Sequence, residues 1–558
     1  MSAPADVIQI PFDRTSRSYQ RRWWILGVLN FSLLAIIVDG SILNVALPAL
    51  QRSLHANNSD LQWMVDSYTL VFAGMLLTAG TLGDKFGRRG ALQFGLAIFG
   101  LGSLLSAFTT SPGQLIVTRG IMGFGGAFIM PATLSIITNV FPPEERARAI
   151  AMWAAVAGAG IAIGPIAGGL LLAHFYWGSV FLVNIPVVAS ALVAGFVLIP
   201  TSKDPSNPAL DVIGAALSIV GLVALVYAII EAPQLGWSAT RILVSFAVSA
   251  VALALFAVWE LCHAHPMLDI RLFKNPRFTA ASTSVTFVFF AMMGSMFLLT
   301  QYFQFVMGYT ALETGVRMLP TAFVMMVVAP LSARLVDRFG SKVVVSTGLF
   351  LTTIGLLSFA TVPSVHPTYA GDILWRLVEM AFGMGLVMAP ATDSIMGSLP
   401  RAKAGVGSAV NDTTREVGGA LGVAVIGTVM TSTYSSTLGA SITRAGVNVP
   451  APAVAQAKQG LGFALGLAGR APVQFRGVIV ADAKAAFVSG LHHAVIVAAI
   501  AAFVGFLIAL RWLPARATEQ PTEEPVDGQI VPQPLPAPDF AVPTIRASHA
   551  MSEPSPAP

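Results

Sequence analysis

The residues of this chain that could do chemistry are charged side chains inside long apolar runs. Asp39, Arg119 and Glu416 each lie within a run of mainly apolar residues. Each run is long enough, at about 20 residues, to cross a bilayer as a helix. A charge at the bilayer centre costs about 3 kcal/mol or more, so it persists where it pairs with another charge or lines a wet cavity. Each of the three is therefore a candidate for ligand binding or proton transfer.

Asp39 and Arg119 are predicted to lie at a similar depth. Counted along ideal helices, Asp39 lies about 21 Å from the inner end of the first run, and Arg119 lies about 9 Å from the outer end of the fourth. We therefore expect an Asp39–Arg119 ion pair that takes part in proton coupling. A static pair that only fixes helix packing is the alternative.

A second group of charges lies on the thirteenth run. Asp412 and Glu416 are four residues apart and share one helix face, whereas Arg415 points in another direction. Two like charges on one face disfavour ionisation of both, which suits a proton carrier. Glu416 is the predicted carrier, with Asp412 beside it. An interhelical contact from Glu416 to Asp39, Arg119 or a backbone group is the alternative.

The twelfth run carries Arg376 and Glu379, which are three residues apart and share a face. Glu379 is predicted to face the substrate and to take part in proton coupling. Pairing with Arg376 is the alternative. Asp66 and Asp393 lie nearer to the ends of their runs and are predicted to be interfacial.

Composition sets the class of protein. The chain has 558 residues, of which 55% are hydrophobic and 11% charged, and its mean hydropathy is +0.74. These values are typical of a polytopic membrane protein. The one cysteine, Cys262, excludes a disulfide framework and a cysteine-rich metal site. No cofactor is predicted, and no G-x-x-x-x-G-K-[ST] loop for ATP occurs in the sequence.

The apolar runs predict about fourteen membrane-spanning helices. Lys and Arg concentrate in alternate short loops, which predicts that both termini are in the cytoplasm. The expected location is the plasma (inner) membrane. Most of the net charge of +5 lies in these loops, so it reports topology and not nucleic-acid binding. The predicted spans are 23–47, 62–82, 91–109, 113–138, 149–173, 178–199, 211–231, 241–260, 278–306, 314–333, 343–362, 369–393, 405–431 and 491–513.

A short repeat divides the chain into two related halves. GTLGDKFGRR at 80–89 returns in weaker form as LVDRFGSK at 335–342. Each copy predicts a tight basic turn between two helices, in which an aspartate holds helix-end amides or a nearby arginine. We expect it to act as a latch on the inner face; a basic turn that only sets topology is the alternative. The latch residues are Gly80, Gly83, Asp84, Gly87, Arg88 and Arg89 in the first copy, and Asp337 and Arg338 in the second.

The fifth run contains GAGIAIGPIAGG. Gly160, Gly164 and Gly168 recur every four residues and predict a smooth groove for a neighbouring helix. Pro165 removes a backbone donor and favours a bend. On these residues alone, packing and gating fit equally well.

Several segments together resemble a known family. GTLGDKFGRR resembles the inner-loop signature of the major facilitator superfamily. Six further segments, in the expected order, are similar to motifs of its fourteen-helix drug:proton antiporter family of the EmrB/QacA type. One difference is Met122, which stands where the fourth-helix motif often has Gln. The six segments are DGSILNVALP, LIVTRGIMGFGGAFIMPA, GAGIAIGPIAGG, VFLVNIP, QYFQFVMGYTALETGVRMLP and AGVGSAVNDTTREVGGALGVA.

The resemblance implies an all-α major facilitator fold, with two pseudo-symmetric six-helix bundles and two inserted helices. It also implies that the first and fourth helices line a central cavity, and that Gly164 and Pro165 take part in gating. The predicted parts are an N-terminal segment (1–22), a first bundle (23–200), inserted helices (201–277), a second bundle (278–513) with an outer loop (432–490), and a disordered tail (514–558).

The residue types in the predicted helices indicate which side chains could contact the substrate. The ninth run is rich in aromatic residues and the chain has 20 Met, which suits adaptable contacts with flat apolar molecules. The candidate substrate residues are Asp39, Glu379, Tyr302, Phe290 and Phe297. Aromatic residues that face lipid are the alternative.

The sequence therefore predicts a proton-coupled secondary active exporter, or antiporter, of lipophilic cationic drug-like compounds that works by alternating access. Its expected partners are the small-molecule substrate, protons and the bilayer, without nucleic acid, and it is expected to act as a monomer and not as an enzyme. An exporter of one metabolite, lipid or siderophore would share these features, as would an uptake permease. A receptor or membrane enzyme is the alternative from another class.

Overall fold

The computed structural model of the protein describes residues 17–202, 211–263, 266, 268, 270–363, 367–398, 404–444, 450–471 and 473–514. Within these ranges every regular element is a helix. The predicted tail from residue 515 onward, most of the N-terminal segment and much of the linker before the inserted helices lie outside them.

Fourteen helices of 15 residues or more lie within the described ranges. Twelve apolar segments are long enough to cross a bilayer, and the bent second helix adds a thirteenth. The predicted all-helical membrane fold is thus confirmed. In chain order the helices are α1 (Arg22–Leu54), α2 (Asn58–Phe86), α3 (Arg88–Ala107), α4 (Pro112–Val140), α5 (Pro143–His174), α6 (Asn184–Leu198), α7 (Val212–Leu235), α8 (Thr240–Cys262), α9 (Pro276–Gln301), α10 (Ala311–Phe339), α11 (Ser341–Phe359), α12 (Leu374–Met396), α13 (Ala404–Arg444) and α14 (Val473–Trp512).

The helices form two bundles, α1–α6 and α9–α14, with α7 and α8 inserted between them in the chain. Helix α7 lies along the seam where α2 of the first bundle meets α13 of the second. Trp63 Nε1 of α2 donates to Glu231 Oε1 of α7 over 3.0 Å. Thr428 Oγ1 of α13 donates to the carbonyl of Ile229 over 2.9 Å. The inserted pair therefore covers one seam from the lipid side.

Contacts between the bundles lie toward one side of the membrane. We call this side the outer side, because it contains the loop between α1 and α2, which the predicted topology places outside the cell. In the first two turns of α2, Gln62 Nε2 donates to the carbonyls of Val423 and Ala424, each over 3.2 Å. At the opposite seam Gly315 of α10 lies against the Pro165 carbonyl of α5, with no room for a Cβ atom.

The inner half of α10 is open by comparison. Met326 is 67% exposed, and Val327 and Leu331 are also exposed. The bundles are thus held together at their outer ends, while the inner part of α10 is left uncovered. Bundles that meet at their outer ends fit an inward-facing conformation.

The outer connection is shorter than predicted, because α13 continues to Arg444 and α14 begins at Val473. Hydropathy identifies the part of a helix that lies in the hydrocarbon layer and not the ends of the helix. The more polar turns of α13 and α14 beyond the bilayer therefore read as a loop in the sequence. Two short helices, Ala451–Lys458 and Leu461–Arg470, fill the remaining connection.

Candidate functional site

The predicted contact between Asp39 and Arg119 is present at the centre of the first bundle. Arg119 Nη1 donates to Asp39 Oδ2. The Arg119 side chain is 1% exposed and the Asp39 side chain is 2% exposed. Asn184 Nδ2 of α6 donates to Asp39 Oδ1 over 2.9 Å and lies 3.1 Å from Ser103 Oγ. Both oxygens of the buried carboxylate therefore have a donor.

Helix α2 supplies the other contacts of Arg119. Arg119 Nε donates to the carbonyl of Met64 over 3.1 Å. The guanidinium lies 4.4 Å from the centroid of the Tyr68 ring, an arrangement in which the aromatic face stabilises a cation. The arginine is thus held by a carboxylate, a carbonyl and a ring, which together offset the cost of burying its charge.

Glycines of α4 bring these helices close enough to meet. A Cβ atom on Gly123 would collide with the backbone of Tyr68 in α2, and one on Gly125 would lie 2.5 Å from the backbone nitrogen of Phe99 in α3. The segment GIMGFGG is therefore needed for packing, one turn after Arg119. It fixes the position of the arginine relative to α2.

The Tyr68 hydroxyl connects this cluster to the second bundle. It is buried and has no hydrogen-bond partner among the described residues. It lies within electrostatic range of Asp39, Arg119 and Glu416. Tyr68 is therefore in contact with the ion pair of the first bundle and within electrostatic range of the glutamate of α13.

On α13 the charged residues have different surroundings. Arg415 Nη1 lies 3.9 Å from Asp412 Oδ1, and its Nη2 lies 3.1 Å from Thr392 Oγ1 of α12. Glu416 is half-buried, and the described part of the chain gives it no hydrogen bond or ion pair. The predicted alternative, a contact from Glu416 to Asp39 or Arg119, is absent in this conformation.

The inner turn after α2 contains the predicted aspartate–arginine contact. Arg88 Nε lies 2.7 Å from Asp84 Oδ1, and Ser135 Oγ of α4 donates to the same oxygen over 2.9 Å. Gly87 has φ +126°, a conformation that glycine adopts without strain. The Arg88 amide donates to the carbonyl of Ser202 over 2.9 Å. The turn thus joins α2, α4 and the segment after α6.

The remaining residues of the first motif pack around this turn. A Cβ on Gly80 would lie 3.4 Å from Pro131, and one on Gly83 would lie 3.1 Å from Ala91. Arg89 lies over the ring of Phe196, 4.6 Å from its centroid.

The second motif keeps the turn but not the ion pair. Gly340 has φ +83°, like its counterpart in the first copy. Asp337 and Arg338 are both exposed, and no ion pair joins them within the described residues. Arg338 instead lies 5.4 Å from the centroid of the Phe339 ring.

The glycine groove of α5 packs against α1. Gly164 lies against Ser41, and Gly168 lies against Ile42. Pro165 is inside the helix and faces α10 at the outer seam. The same stretch therefore contacts both the neighbouring helix of its own bundle and the second bundle.

A comparison with protein families identifies this arrangement. The family model of the Major Facilitator Superfamily matches residues 29–423. The chain belongs to the major facilitator superfamily.

Individual transporters of the superfamily are similar over most of their length. The multidrug efflux pump LfrA of Mycolicibacterium smegmatis is 35% identical over 491 residues, which are 87% of this chain and 95% of LfrA. The multidrug resistance protein Stp of Mycobacterium tuberculosis is 35% identical, with 87% and 91% covered. The tetracenomycin C resistance and export protein of Streptomyces glaucescens is 32% identical, with 90% and 94% covered.

A solved structure supports the fold. A bacterial homologue of the human lysosomal transporter Spinster, in an inward-facing and unoccupied conformation, superposes with a TM-score of 0.63 at 18% identity. It covers 90% of this chain and 99% of the Spinster homologue.

In this facilitator protein, two aromatic residues predicted for the substrate site are part of the core. Tyr302 and Phe297 are 0% and 2% exposed, while Phe290 is half-buried. Tyr302 begins a π-helical turn at the closed outer end of α9, where Lys484 Nζ donates to the carbonyl of Val306 over 2.8 Å. Tyr302 and Phe297 pack in the protein interior in this conformation, and their role as substrate contacts stays a prediction.

The alternative considered for Glu379, pairing with Arg376, is not present in the described structure. Arg376 is buried and donates through Nε to the Ser358 carbonyl over 2.8 Å and through Nη2 to Thr361 Oγ1 over 3.0 Å. These acceptors lie at the outer end of α11 and just beyond it, so they take the guanidinium away from its neighbour. Glu379 lies on the flank of the second bundle, in a groove with Trp375, and not in the central cavity.

Asp66 was predicted to be interfacial, but it is fully buried. Its exposure is 0%, and neither carboxylate oxygen has a partner among the described residues. One turn further along α2, Leu70 packs with Val226 of α7 and Ala420 of α13. Helices α7 and α13 therefore both pack on this face of α2. Asp66 had been predicted to be interfacial because it lies near the end of its apolar run.

Asn184, Tyr68 and the Met64 carbonyl were missed as parts of the site. Asn184 stands in the VFLVNIP segment, where an amide in an apolar run was a usable signal. A backbone carbonyl and a tyrosine among aromatic residues give no comparable signal. Within the described residues no group of three or more His, Cys, Asp or Glu could hold a metal ion.

Proposed function

We propose that this protein exports lipophilic cations in exchange for protons and that Glu416 is the group for which the two compete. The observation that carries the proposal is a half-buried Glu416 carboxylate without a hydrogen bond or ion pair in the described structure. Tyr68, whose ring lies against Arg119, is within electrostatic range of this carboxylate. The names of LfrA and Stp, which are a multidrug efflux pump and a multidrug resistance protein, support the direction and class of transport.

The inward-facing state fits the loading step. An ionised Glu416 attracts a cation from the inner side, and one carboxylate cannot hold a cation and a proton equally well at once. After the outer seams at Gln62 and Gly315 open, a proton from outside displaces the cation. Rocking of the two bundles then alternates access to the site. The Asp84–Arg88 turn stiffens the first bundle during this movement.

The Asp39–Arg119 pair has a different part in this scheme. Protonation of Asp39 would cost the contacts from both Arg119 and Asn184, whereas Glu416 loses no such contact. The pair therefore supplies a fixed, electrically balanced wall beside Tyr68. Asp412 lies beside Arg415, so its charge already has a partner. Glu416 is therefore the group that we assign to the exchange.

The test uses the protein in proteoliposomes with ethidium as the transported cation. An acid interior should drive ethidium into vesicles in which the protein is oriented inside out. Glu416→Gln should abolish this proton-driven accumulation and also slow ethidium exchange between two ethidium pools, because the carboxylate serves both the proton and the cation. Asp393→Asn, a charge loss at the exposed inner end of α12, should behave like the wild type.

Two results would contradict the proposal. Proton-driven accumulation in Glu416→Gln would remove this residue from the coupling step. Ethidium movement in the wild type that ignores the imposed pH gradient would contradict proton exchange itself.

A dedicated exporter is the second candidate, because one similar protein is named for tetracenomycin C alone. A panel of cationic, neutral and anionic compounds competing with ethidium separates the two. Inhibition by many unrelated cations supports broad export, and inhibition by one compound class supports a dedicated exporter.

We further propose that the protein acts as a monomer in the plasma membrane with both termini in the cytoplasm. The concentration of Lys and Arg in alternate loops supports this orientation. Protease protection of terminal tags in intact cells and in inverted vesicles tests it.

A further inference from the structure

A stripe of α12 faces outward from the second bundle and not into the central cavity. Trp375 is 46% and Phe382 is 36% exposed, and Glu379 lies between them on the same helix face. The flanks of this stripe are both covered. A Cβ on Gly385 would lie 3.0 Å from Val328 of α10, and one on Gly383 would lie 2.5 Å from the backbone of Thr352 in α11. The stripe therefore looks out between α10 and α11, toward lipid.

The stripe forms one wall of a groove with a volume of about 570 Å³. This is within the range of about 300–1,000 Å³ that small-molecule pockets occupy. Helix α11 and the turn before α12 contribute the other wall, and no lining residue comes from the first bundle. The lining residues are Leu351, Ala370, Leu374, Trp375, Val378, Glu379 and Phe382.

Glu379 has no ion-pair partner among the described residues, although the guanidinium of Arg376 lies over one side of the Trp375 ring, 4.4 Å from its centroid. The described structure gives Glu379 no hydrogen bond or ion pair, and the nearby Arg376 is engaged with the end of α11. An ionisable group at a lipid-facing position in a span is costly and is retained where it has a partner. An apolar groove with one carboxylate and two exposed aromatic rings is complementary to an organic cation.

Depth favours a ligand that comes from the outer half of the bilayer. Glu379 is ten residues after Tyr369, where the 28-residue span begins on the outer side. It is therefore at most about 15 Å along the helix from that end. This is the part of the membrane into which an exporter releases a lipophilic product.

We propose that this groove is a second, peripheral binding site for lipophilic organic cations, with Glu379 as the charge partner and Trp375 and Phe382 as the aromatic contacts. The class of ligand rests on the proposed export of lipophilic cations. The site itself is separate from Glu416 and from the central cavity. It binds substrate in the outer leaflet.

The experiment is photolabelling of the full chain in nanodiscs of phosphatidylglycerol, a lipid without an ammonium group. The probe is a triphenylphosphonium that carries a diazirine, and the uncharged control is the corresponding phosphine oxide. Mass spectrometry of the labelled peptides reports modification of residues 370–382. The wild type should be labelled there by the cation and not by the neutral compound.

Glu379→Gln should lower this labelling at least about tenfold, a factor that corresponds to about 1.4 kcal/mol. Trp375→Leu should lower it by a smaller factor, because the charge remains. Asp393→Asn removes a carboxylate from the same helix face at the inner end and should leave labelling unchanged. Glu379→Gln should keep proton-driven ethidium export, since the groove is outside the transport path.

Unchanged labelling in Glu379→Gln would overturn the site. Loss of export in this variant would also overturn it, because Glu379 would then belong to the transport path. Displacement of the probe by added phosphatidylethanolamine would show that the groove holds a lipid ammonium group instead. Labelling of the groove in a protein that shows no proton-driven export would refute the proposed function and leave the site in place.

Discussion

Removing one partner of the Asp39–Arg119 pair should destabilise the protein far more than removing both charges. Both side chains are almost fully buried, and an unpaired buried charge costs about 3–5 kcal/mol. Asp39→Asn and Arg119→Gln should therefore each lower the free energy of unfolding by about 3 kcal/mol, roughly a 150-fold change in the folding equilibrium. The double variant has two neutral amides in place of the charges. It should lose less than about 2 kcal/mol.

Unfolding by sodium dodecyl sulfate in mixed micelles, followed by the fluorescence of the nine tryptophans, measures these values. Asp393→Asn is the matched control and should be close to the wild type. If the two single losses add within about 0.5 kcal/mol in the double variant, the residues do not act as a coupled pair and the reasoning fails.

The same double variant separates structure from coupling. Its net charge near Glu416 equals that of the wild type, so it should retain proton-driven ethidium export, which Glu416→Gln lacks. A double variant that is stable but unable to export would assign the proton to Asp39 and refute the assignment to Glu416.

Three further changes test other parts of the structure. Asp84→Asn should slow ethidium turnover without altering which compounds compete; a changed competition profile would contradict its role as a latch. Gly123→Ala should cost about 1–3 kcal/mol of unfolding free energy because its Cβ meets the backbone of Tyr68, whereas Gly113→Ala, with open space around it, should have no effect; equal losses would refute the packing argument. Asp66→Leu should raise the free energy of unfolding by about 1 kcal/mol, since two unpartnered buried oxygens are replaced by apolar atoms; a lower value would mean that the carboxylate has a native partner.

The sequence was most informative about depth along a helix. Helical rise is nearly constant, so counting from the ends of the apolar runs placed Asp39 and Arg119 at one level. The inner turn was also predictable, because an aspartate and an arginine four residues apart, next to a glycine, leave few local arrangements. The turn depends on short-range geometry, whereas the Asp39–Arg119 contact, between residues 80 apart, also needs the first and fourth helices to be neighbours, which the family resemblance implied.

Rotation about the helix axis was not predictable in the same way. In a soluble helix the polar face identifies the exterior, but here lipid and protein core are both apolar. Glu379 was therefore predicted to face the substrate, and Asp66 to be interfacial, without a signal for the face of the helix on which each lies. Glu379 faces the flank of the second bundle, and Asp66 is fully buried one turn before a residue that packs against both α7 and α13.

Asp39 and Glu416 differ in their hydrogen-bond partners. In the proposed mechanism, this difference keeps Asp39 ionised while Glu416 exchanges a proton for a cation. Asp39 has donors at both oxygens, from Arg119 and Asn184, all within a rigid bundle packed on glycines. Its ionised form is the one that these donors stabilise. Glu416 has no such donor in the described structure, so a proton or a cation must supply the missing interaction. In the proposed mechanism, coupling follows from the missing partner of Glu416, while the Asp39–Arg119 pair stays electrically balanced.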